Sequence, residues 1–186
     1  MDTDASYHFT KKKTSPRPML FRKQFALAKK AKRAVLYSTA LGIYELALNG
    51  QKVGNDYFAP GFTSYKHQLQ YQHYDVTNLL RDNNTIMVTV AGGWAVGAYT
   101  YARRNRLYAN RQAFLCELRI LYEDGSQESI GTDTSWQVTE DGPYRAAEFY
   151  DGEVYDATVD TDCIRWNQAS AEKLRFAPKL LAQYGV

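Results

Sequence analysis

A regular alternation of apolar and polar side chains most constrains how this chain can fold. Apolar side chains occupy one face of the segment 113–122, namely Phe114, Cys116, Leu118, Ile120 and Tyr122. Glu117 and Arg119 point to the opposite face. The runs TIMVTVAGG and GIYELAL repeat this period of two, through Ile86, Val88 and Val90 and through Tyr44, Leu46 and Leu48. The pattern predicts strands that bury one face and expose the other.

Turn signals between these runs favour antiparallel pairing. Asn49-Gly50 and Asp124-Gly125 are the dipeptides that prefer two-residue type I′ hairpin turns. Helical signals are scarce, and the segment DVTNLLRDNN (75–84) predicts one or two short helical turns, with Asp75 or Thr77 as N-cap. Strands with tight turns and no alternating helices predict an all-β fold, an antiparallel β-sandwich.

Length and charge exclude several classes of function. The 186 residues suit one domain, and 45% are hydrophobic, as in a globular protein. Residues 1–33 hold a basic excess, but its Lys and Arg side chains alternate with Ala as at solvated strand ends, so we expect no nucleic-acid partner. No apolar run is long enough to cross a bilayer, and no secretory signal stands at residues 1–18, which predicts no membrane partner and a cytoplasmic location.

The segment 91–112 is a candidate functional loop. It joins two predicted strands over about twenty residues, and long loops in compact sandwiches are usually functional or disordered. It carries Trp94, Tyr99, Tyr101 and Arg103, and such rings stack on sugars while Arg binds hydroxyl or carboxylate oxygens. The alternative is that the rings cap an open end of the sandwich and the arginines are solvated or contact a neighbouring domain.

The segment YDGEVYDA (150–157) is a candidate acidic site. If it is extended, Asp151 and Glu153 lie on one face roughly 6–7 Å apart, close to the separations of the paired carboxylates of glycosidases. Asp156 and Tyr155 lie beside them. A general acid also needs a raised pKa, which burial would have to supply. The alternative is that these acids form salt bridges to Arg145 or to the arginines at 103–111.

Other catalytic centres find little support in the sequence. His67 and His73 lie six residues apart without an evident third metal ligand, and no GxSxG motif is present. Cys116 lies inside an apolar strand and is expected to be a core residue, and Cys163 has no partner pattern. We therefore predict no catalytic residue in this chain.

Several motifs in order resemble the N-terminal domain of bacterial α-L-rhamnosidases. The run YELALNGQKVGNDYFAPGFTSYKHQLQYQHYDVTNLL is similar to that family's YELYLNGxRVGDxxLAPGWTxYxxRxxYQTYDVTxLL. GGWAVG, LYEDGS, TDTSWQV and YDGEVYDA follow in the family's order. The resemblance covers about residues 20–186 and implies a jelly-roll-like, galactose-binding-like sandwich. We expect a flexible tail at 1–18 and the sandwich at 19–186, with an exit strand and a junction to a further domain at 165–186.

The resemblance also implies a function. In such enzymes this domain precedes a catalytic (α/α)₆ barrel, whose acidic residues hydrolyse terminal α-L-rhamnosides with inversion. We expect that barrel to be the partner of this chain, whose own role would be to pack against it or to help recognise rhamnosylated carbohydrate. The candidate residues for sugar binding or docking are Trp94, Tyr99, Tyr101, Arg103, Asp151, Glu153, Tyr155 and Asp156.

A calcium site is a further expectation from the resemblance, because some related sandwich domains bind rhamnose through calcium. Calcium needs about six to eight oxygen ligands, and Asp151, Glu153 and Asp156 are the available acids near one end. Gly92, however, stands where the family's GDGW motif has Asp, and Ala95-Val96 replaces the usual Tyr-Arg. These departures argue against a calcium or sugar site at that loop, and no cofactor is assigned.

Overall fold

Antiparallel strands are the main regular elements of the computed structural model, which describes residues 16–170. The strands are β1 (Met19–Ala26), β2 (Ala31–Leu41), β3 (Ile43–Leu48), β4 (Gln51–Lys52), β5 (Gln72–Asp75), β6 (Asn83–Ala91), β7 (Ala113–Tyr122), β8 (Gln127–Gly131), β9 (Gln137–Thr139), β10 (Tyr144–Glu148), β11 (Gly152–Tyr155) and β12 (Asn167–Gln168). Three short helical turns accompany them: a 3₁₀ turn at Thr77–Leu79, the single-turn helix α1 (Gly93–Val96) and a 3₁₀ turn at Thr161–Cys163. The all-β prediction is confirmed.

The strands form two packed sheets and one separate hairpin. One sheet has six strands in the order β12-β9-β1-β6-β3-β4, and the other has four in the order β5-β2-β7-β8. The strands β10 and β11 pair only with each other. Every pairing between these strands is antiparallel, as predicted for the sandwich.

The core lies between the two sheets and follows the predicted alternation. From β7, Cys116, Leu118 and Ile120 are buried, while Glu117 and Arg119 pair with each other on the outer face at 2.9 Å. The opposite sheet buries its own alternate residues: Tyr44, Leu46, Leu48, Ile86, Val88 and Val90. Because a one-residue slip would expose either set, this alternation fixes the register of both sheets.

The two hairpin dipeptides behave differently. Asn49 and Gly50 both have positive φ angles, 54° and 79°, as a type I′ turn requires. Asn49 is also held by its side chain, which donates to the Leu79 carbonyl at 2.8 Å and accepts from the Thr85 amide at 2.9 Å. At the second hairpin only Gly125 has a positive φ, and Asp124 instead accepts hydrogen bonds from Ser126. The predicted type I′ geometry was therefore wrong there, although β7 and β8 do pair as a hairpin.

A helical turn and an exit strand were predicted outside the main strands. The predicted helical turn is the 3₁₀ turn at Thr77–Leu79, but its N-cap is Val76 without a side-chain cap, so the predicted N-cap at Asp75 or Thr77 was wrong. Asp75 accepts from the Thr77 amide at 3.0 Å just before the turn. The exit strand predicted for CIRWNQ is shorter than expected, because only Asn167–Gln168 pairs with β9. Trp166 instead packs over the Arg22 guanidinium, 4.2 Å from ring centroid to Cζ.

Three further predictions concern the basic turn after β1, membrane-spanning helices and the two ends of the chain. Lys29 and Lys30, between β1 and β2, form ion pairs with Asp124 and Glu123, as expected of a solvated turn. None of the helices between residues 16 and 170 has the length and apolar character needed to cross a bilayer. The tail predicted at 1–18 and the junction at 165–186 lie largely outside the described residues, so the domain limits stay a prediction.

Candidate functional site

The segment that joins β6 to β7 begins with a very tight turn. A Cβ at Gly92 would lie 2.7 Å from the backbone N of Gly97, so the two glycines pack backbone to backbone. Gly93 has a φ of 52°, which favours glycine. The turn buries Ala95 and Val96 against Tyr65 and leaves the Trp94 ring at the end of the sandwich where β6 ends and β7 begins. The glycines thus place one large aromatic side chain.

Trp94 is the centre of a cluster of rings that we call the aromatic patch. The patch consists of Phe58, Phe62, Trp94, Tyr99 and Phe149. The ring centroids of Trp94 and Phe149 are 4.5 Å apart, and Trp94 lies 6.2 Å from Phe58. These rings come from three segments that are distant in sequence: the loop after β4, the loop after β6 and the hairpin β10–β11.

The outer rings of the aromatic patch face solvent. Phe58 is 55% exposed and Phe62 is 48% exposed. Behind them Tyr65 is buried and its ring lies 5.2 Å from that of Tyr108, which gives the patch a firm base. Exposed aromatic side chains that lie together in this way are typical of interaction surfaces.

Backbone strain is concentrated around the same end. Within residues 16–170 five residues other than glycine have positive φ angles. Four of them flank the patch or lie in the loop that carries Trp94 and Tyr99: Phe58 at 56°, Thr100 at 70°, Arg103 at 49° and Arg106 at 57°. Such conformations cost about 1–3 kcal/mol each and persist where surrounding contacts enforce them, often at functional sites.

The hairpin β10–β11 brings Glu148 and Phe149 to the patch. One carboxylate oxygen of Glu148, Oε2, accepts from the Ala98 amide at 2.8 Å. The other oxygen, Oε1, is buried without a hydrogen-bond partner. The Phe149 ring follows directly and contacts Trp94. The hairpin tip and the loop after β6 therefore hold each other in place.

Asp151 is a structural partner of the same loop. It lies in the hairpin turn and not in a strand, because Gly152 has a φ of 73° and β11 begins there. The premise that Asp151 and Glu153 sit on one extended face was therefore wrong. Asp151 pairs with the Arg103 guanidinium, which also lies 5.1 Å from the Tyr150 ring centroid.

Asp156 is also engaged in an ion pair, as the alternative interpretation of the acids predicted. Its Oδ2 lies 3.2 Å from Nη2 of Arg145, and its Oδ1 accepts from the Thr158 hydroxyl at 2.5 Å. Thr158 and then Arg145 hold the pKa of this carboxyl below its usual range. A general acid needs the opposite shift, so Asp156 is not suited to that task.

The remaining candidates are spread over neighbouring positions. Tyr101 is fully exposed beyond the patch, whereas Tyr99 is part of it. Tyr155 packs on Tyr144 at 5.1 Å within the hairpin. Glu153 lines a shallow groove of about 200 Å³ between that hairpin and the outer face of the six-stranded sheet. Phe58 lines the groove too and so connects it with the aromatic patch.

Sequence reasoning missed Phe58, Phe62, Glu148 and Phe149 as members of this arrangement. Phe58 and Phe62 flank the APG of YFAPGFTSY, and the other two belong to AAEFYDGE. The first string contributed to the family resemblance, whereas Glu148 and Phe149 stand just before the motif YDGEVYDA and belonged to no motif. The contact between the two strings depends on chain segments about ninety residues apart, which no local pattern shows.

Residues suited to a metal ion do not converge in the part of the chain that the structure describes. Between residues 16 and 170 no three side chains of His, Cys, Asp or Glu come together as a metal-binding group. Asp151 and Asp156 are each paired with a different arginine. The acids of YDGEVYDA therefore do not fit a calcium site of six to eight oxygen ligands.

The fold of this chain is similar to part of solved α-L-rhamnosidase structures. The antiparallel sandwich resembles the α-L-rhamnosidase from Aspergillus terreus with a TM-score of 0.77 and 34% identity, covering 88% of this chain and 20% of that one. It resembles the Streptomyces avermitilis α-L-rhamnosidase, solved with L-rhamnose, with a TM-score of 0.73 and 41% identity, covering 77% and 14%. The sandwich is thus of the kind found within rhamnosidases.

The sequence agrees with this likeness. Residues 29–183 match the model of the α-L-rhamnosidase N-terminal domain family. An α-L-rhamnosidase of Formosa agariphila is 40% identical over 145 residues, which cover 77% of this chain and 16% of the relative. The chain belongs to the α-L-rhamnosidase N-terminal domain family. It spans about one sixth of the length of the relatives it matches.

Proposed function

We infer that this chain is a non-catalytic accessory domain of an α-L-rhamnosidase and that it packs, through its aromatic patch, on the catalytic barrel of the parent enzyme. The parent enzyme would hydrolyse terminal α-L-rhamnosides. The observation that carries the proposal is the exposure of Phe58 and Phe62 beside Trp94. The relatives are about six times as long as the segment they share with this chain, so most of the parent enzyme is available as a partner.

The acids support an accessory role. Inverting hydrolysis needs one carboxyl with a raised pKa and a second carboxylate that activates water from the opposite side. Asp151 and Asp156 are instead bound to arginines, and Asp156 has a lowered pKa. Glu153 alone, on an exposed strand of the hairpin, cannot supply both roles.

The patch has the chemistry of a docking surface. Covering exposed apolar area contributes about 25 cal/mol per Å², and large aromatic side chains dominate such interfaces. The rings are supported from behind by Tyr65 and Tyr108 and are held laterally by the hairpin tip. A pre-ordered surface of this kind loses little side-chain freedom when a partner covers it.

Docking can be tested by adding the purified chain to a rhamnosidase polypeptide that lacks this domain and measuring binding by calorimetry. We expect Phe58→Asn to weaken binding at least tenfold, because a large aromatic anchor is removed. Asparagine tolerates the positive φ of this residue, so folding is preserved. Leu115→Ser is the matched control, since Leu115 is 37% exposed on the strand β7 of the other sheet. Equal binding by both variants and the wild type would contradict the docking role.

Catalysis by the chain itself is tested with p-nitrophenyl α-L-rhamnoside. We expect no release of p-nitrophenol above the rate without protein. Hydrolysis by the purified chain that disappears in Glu153→Ala would overturn the non-catalytic assignment.

A second candidate function is binding of rhamnose or a related sugar by the chain alone. The exposed ring of Phe62 next to Tyr99, with Arg103 in the same loop, favours it, because aromatic rings stack on sugars and guanidinium groups bind hydroxyls. Titration with rhamnose to millimolar concentration, with and without calcium, should then shift the nuclear magnetic resonance (NMR) signals of Trp94 and Tyr99. Unchanged signals in both titrations would remove this candidate.

A further inference from the structure

Glu148 makes an unusual link across the base of the aromatic patch. Its Oε2 accepts from the backbone amide of Ala98, fifty positions away in the sequence, at 2.8 Å. Ala98 is the second residue after α1, the turn that carries Trp94. The neighbouring Phe149 contacts the Trp94 ring at 4.5 Å. Two adjacent hairpin residues therefore hold both the backbone and the side chain of the Trp94 turn.

The space for this carboxylate depends on the absence of a side chain at Gly97, while Gly92 lies in ordinary contact with it. A Cβ at Gly97 would lie 2.8 Å from Glu148 Oε2 and 2.6 Å from the Gly93 carbonyl oxygen. A Cβ at Gly92 would lie 3.5 Å from Glu148 Oε1. The carboxylate and the glycine turn are therefore shaped for each other, and a side chain at position 97 would displace the contact.

The carboxylate is not optimised for stability. Oε1 is the one side-chain polar atom between residues 16 and 170 that is buried without a hydrogen-bond partner. A buried acceptor without a donor costs free energy of folding. A residue that carries such a cost while fixing an exposed aromatic surface fits the expectation that local rules are broken at functional sites.

We propose that Glu148 is the positioning residue of the aromatic patch: it orients Trp94 by holding the Ala98 amide and by placing Phe149 against the indole. The purpose of this positioning rests on the proposed docking function. The effect of Glu148 on the Trp94 turn can be tested separately. Glu148 acts through the Trp94 turn and need not touch the docked partner.

The test compares Glu148→Gln, Glu148→Ala and Gly97→Ala with the wild type, with Glu140→Ala as an exposed acidic control. Gln keeps one acceptor oxygen for the Ala98 amide, so we expect wild-type hydrogen exchange at Ala98 and a wild-type Trp94 indole NMR signal. Ala removes the acceptor, and the methyl of Gly97→Ala displaces it. Both should speed exchange at Ala98 about tenfold or more and shift the indole signal. The methyl of Gly97→Ala would also lie 2.6 Å from the Gly93 carbonyl oxygen, so this variant disturbs the turn directly as well as through the carboxylate. If Glu148→Ala fails to fold, Glu148→Met, which fills the same space without an acceptor oxygen, decides the outcome in its place.

Binding to the rhamnosidase polypeptide that lacks this domain gives the second readout. We expect affinity to fall about tenfold in Glu148→Ala and Gly97→Ala and to be kept in Glu148→Gln. If the wild type does not bind, the docking function fails, while the exchange and indole data still test the positioning role. Wild-type exchange at Ala98 and an unshifted Trp94 signal in both Glu148→Ala and Gly97→Ala would overturn the inference.

Discussion

The surroundings of Trp136 and Trp94 show two uses of the same side chain. Trp136 is 1% exposed, packs on Phe114 at 5.9 Å and donates its indole N–H to the Gly131 carbonyl at 3.0 Å. Trp94 packs on Phe149 even more closely, but the neighbouring Phe58 and Phe62 face solvent. Aromatic packing alone therefore does not distinguish a core from a surface.

The difference lies in what surrounds the rings. Around Trp136 two sheets close from both sides, and the strands have ordinary backbone angles. Around Trp94 three loops support the rings from one side, and Phe58, Thr100, Arg103 and Arg106 adopt positive φ angles. We expect the first region to determine stability and the second to determine binding.

The largest effect should follow from Trp136→Ala. Removing a fully buried indole leaves a cavity and an unpaired Gly131 carbonyl, so the free energy of unfolding should fall by about 3–5 kcal/mol. Urea unfolding followed by circular dichroism measures it. Trp166→Ala, at the surface over Arg22, is the matched control and should cost less than about 1 kcal/mol. Similar losses of unfolding free energy in both variants would show that buried and surface rings contribute equally to stability.

The next effect concerns a tyrosine of the interior. Burial raises the pKa of Tyr44 to about 12, and its hydroxyl pairs with Ser38 Oγ at 2.8 Å. Because folding favours the neutral phenol, this stabilisation is complete below pH 10 and is lost as the pH rises towards 12. From pH 9 to pH 11 the loss should be about 1.4 kcal/mol for this group. Urea unfolding at both pH values should show a smaller fall in Tyr44→Phe than in the wild type, and equal falls would contradict the assignment.

A smaller effect is expected for the ion pair at the open end. Arg103 and Asp151 are 37% and 63% exposed, so solvent screens their attraction. A double-mutant cycle with Arg103→Ala and Asp151→Ala should give a coupling below about 1 kcal/mol, which decreases in 1 M salt. A coupling that is large and independent of salt would mean that solvent is excluded from this end of the sandwich as it is from the core.

The smallest effect should be that of Phe58→Asn on stability. The ring is mostly exposed, and asparagine accommodates a φ of 56° better than phenylalanine. We expect the free energy of unfolding to stay within about 0.5 kcal/mol of the wild type. Binding of a hydrophobic dye to the native state should decrease. A loss of stability comparable to that of Trp136→Ala would show that the patch belongs to the core.

The sandwich itself could be predicted from the sequence. The alternation in 113–122 and around Leu46 and Val88 placed the buried faces correctly, because a half-buried strand imposes that period locally. The Asn49-Gly50 turn was also predicted correctly, because both residues take the positive φ angles that this dipeptide favours. The turn type at Asp124 was predicted wrongly, because the Asp124 side chain accepts from Ser126 two residues further on and favours another geometry.

The candidate site could be predicted only in part. Trp94, Tyr99 and Arg103 were recognised because they share one long loop. Their partners Phe58, Phe149 and Glu148 come from other parts of the chain, and only the pairing of the sheets brings them together. The pairing of Asp151 and Asp156 with arginines was foreseen as an alternative, but the choice of arginine depends on the hairpin turn at Gly152.

The order of the chain has a consequence for assembly. Phe58, Trp94 and Phe149 can meet only after β3, β6 and the hairpin β10–β11 have each reached their places. Contacts over such sequence distances form late, since loop closure must precede them. A growing polypeptide therefore presents this cluster of rings only once most of the domain has been synthesised and folded. A neighbour that recognised the cluster would be engaging a finished domain and would leave a half-made one alone.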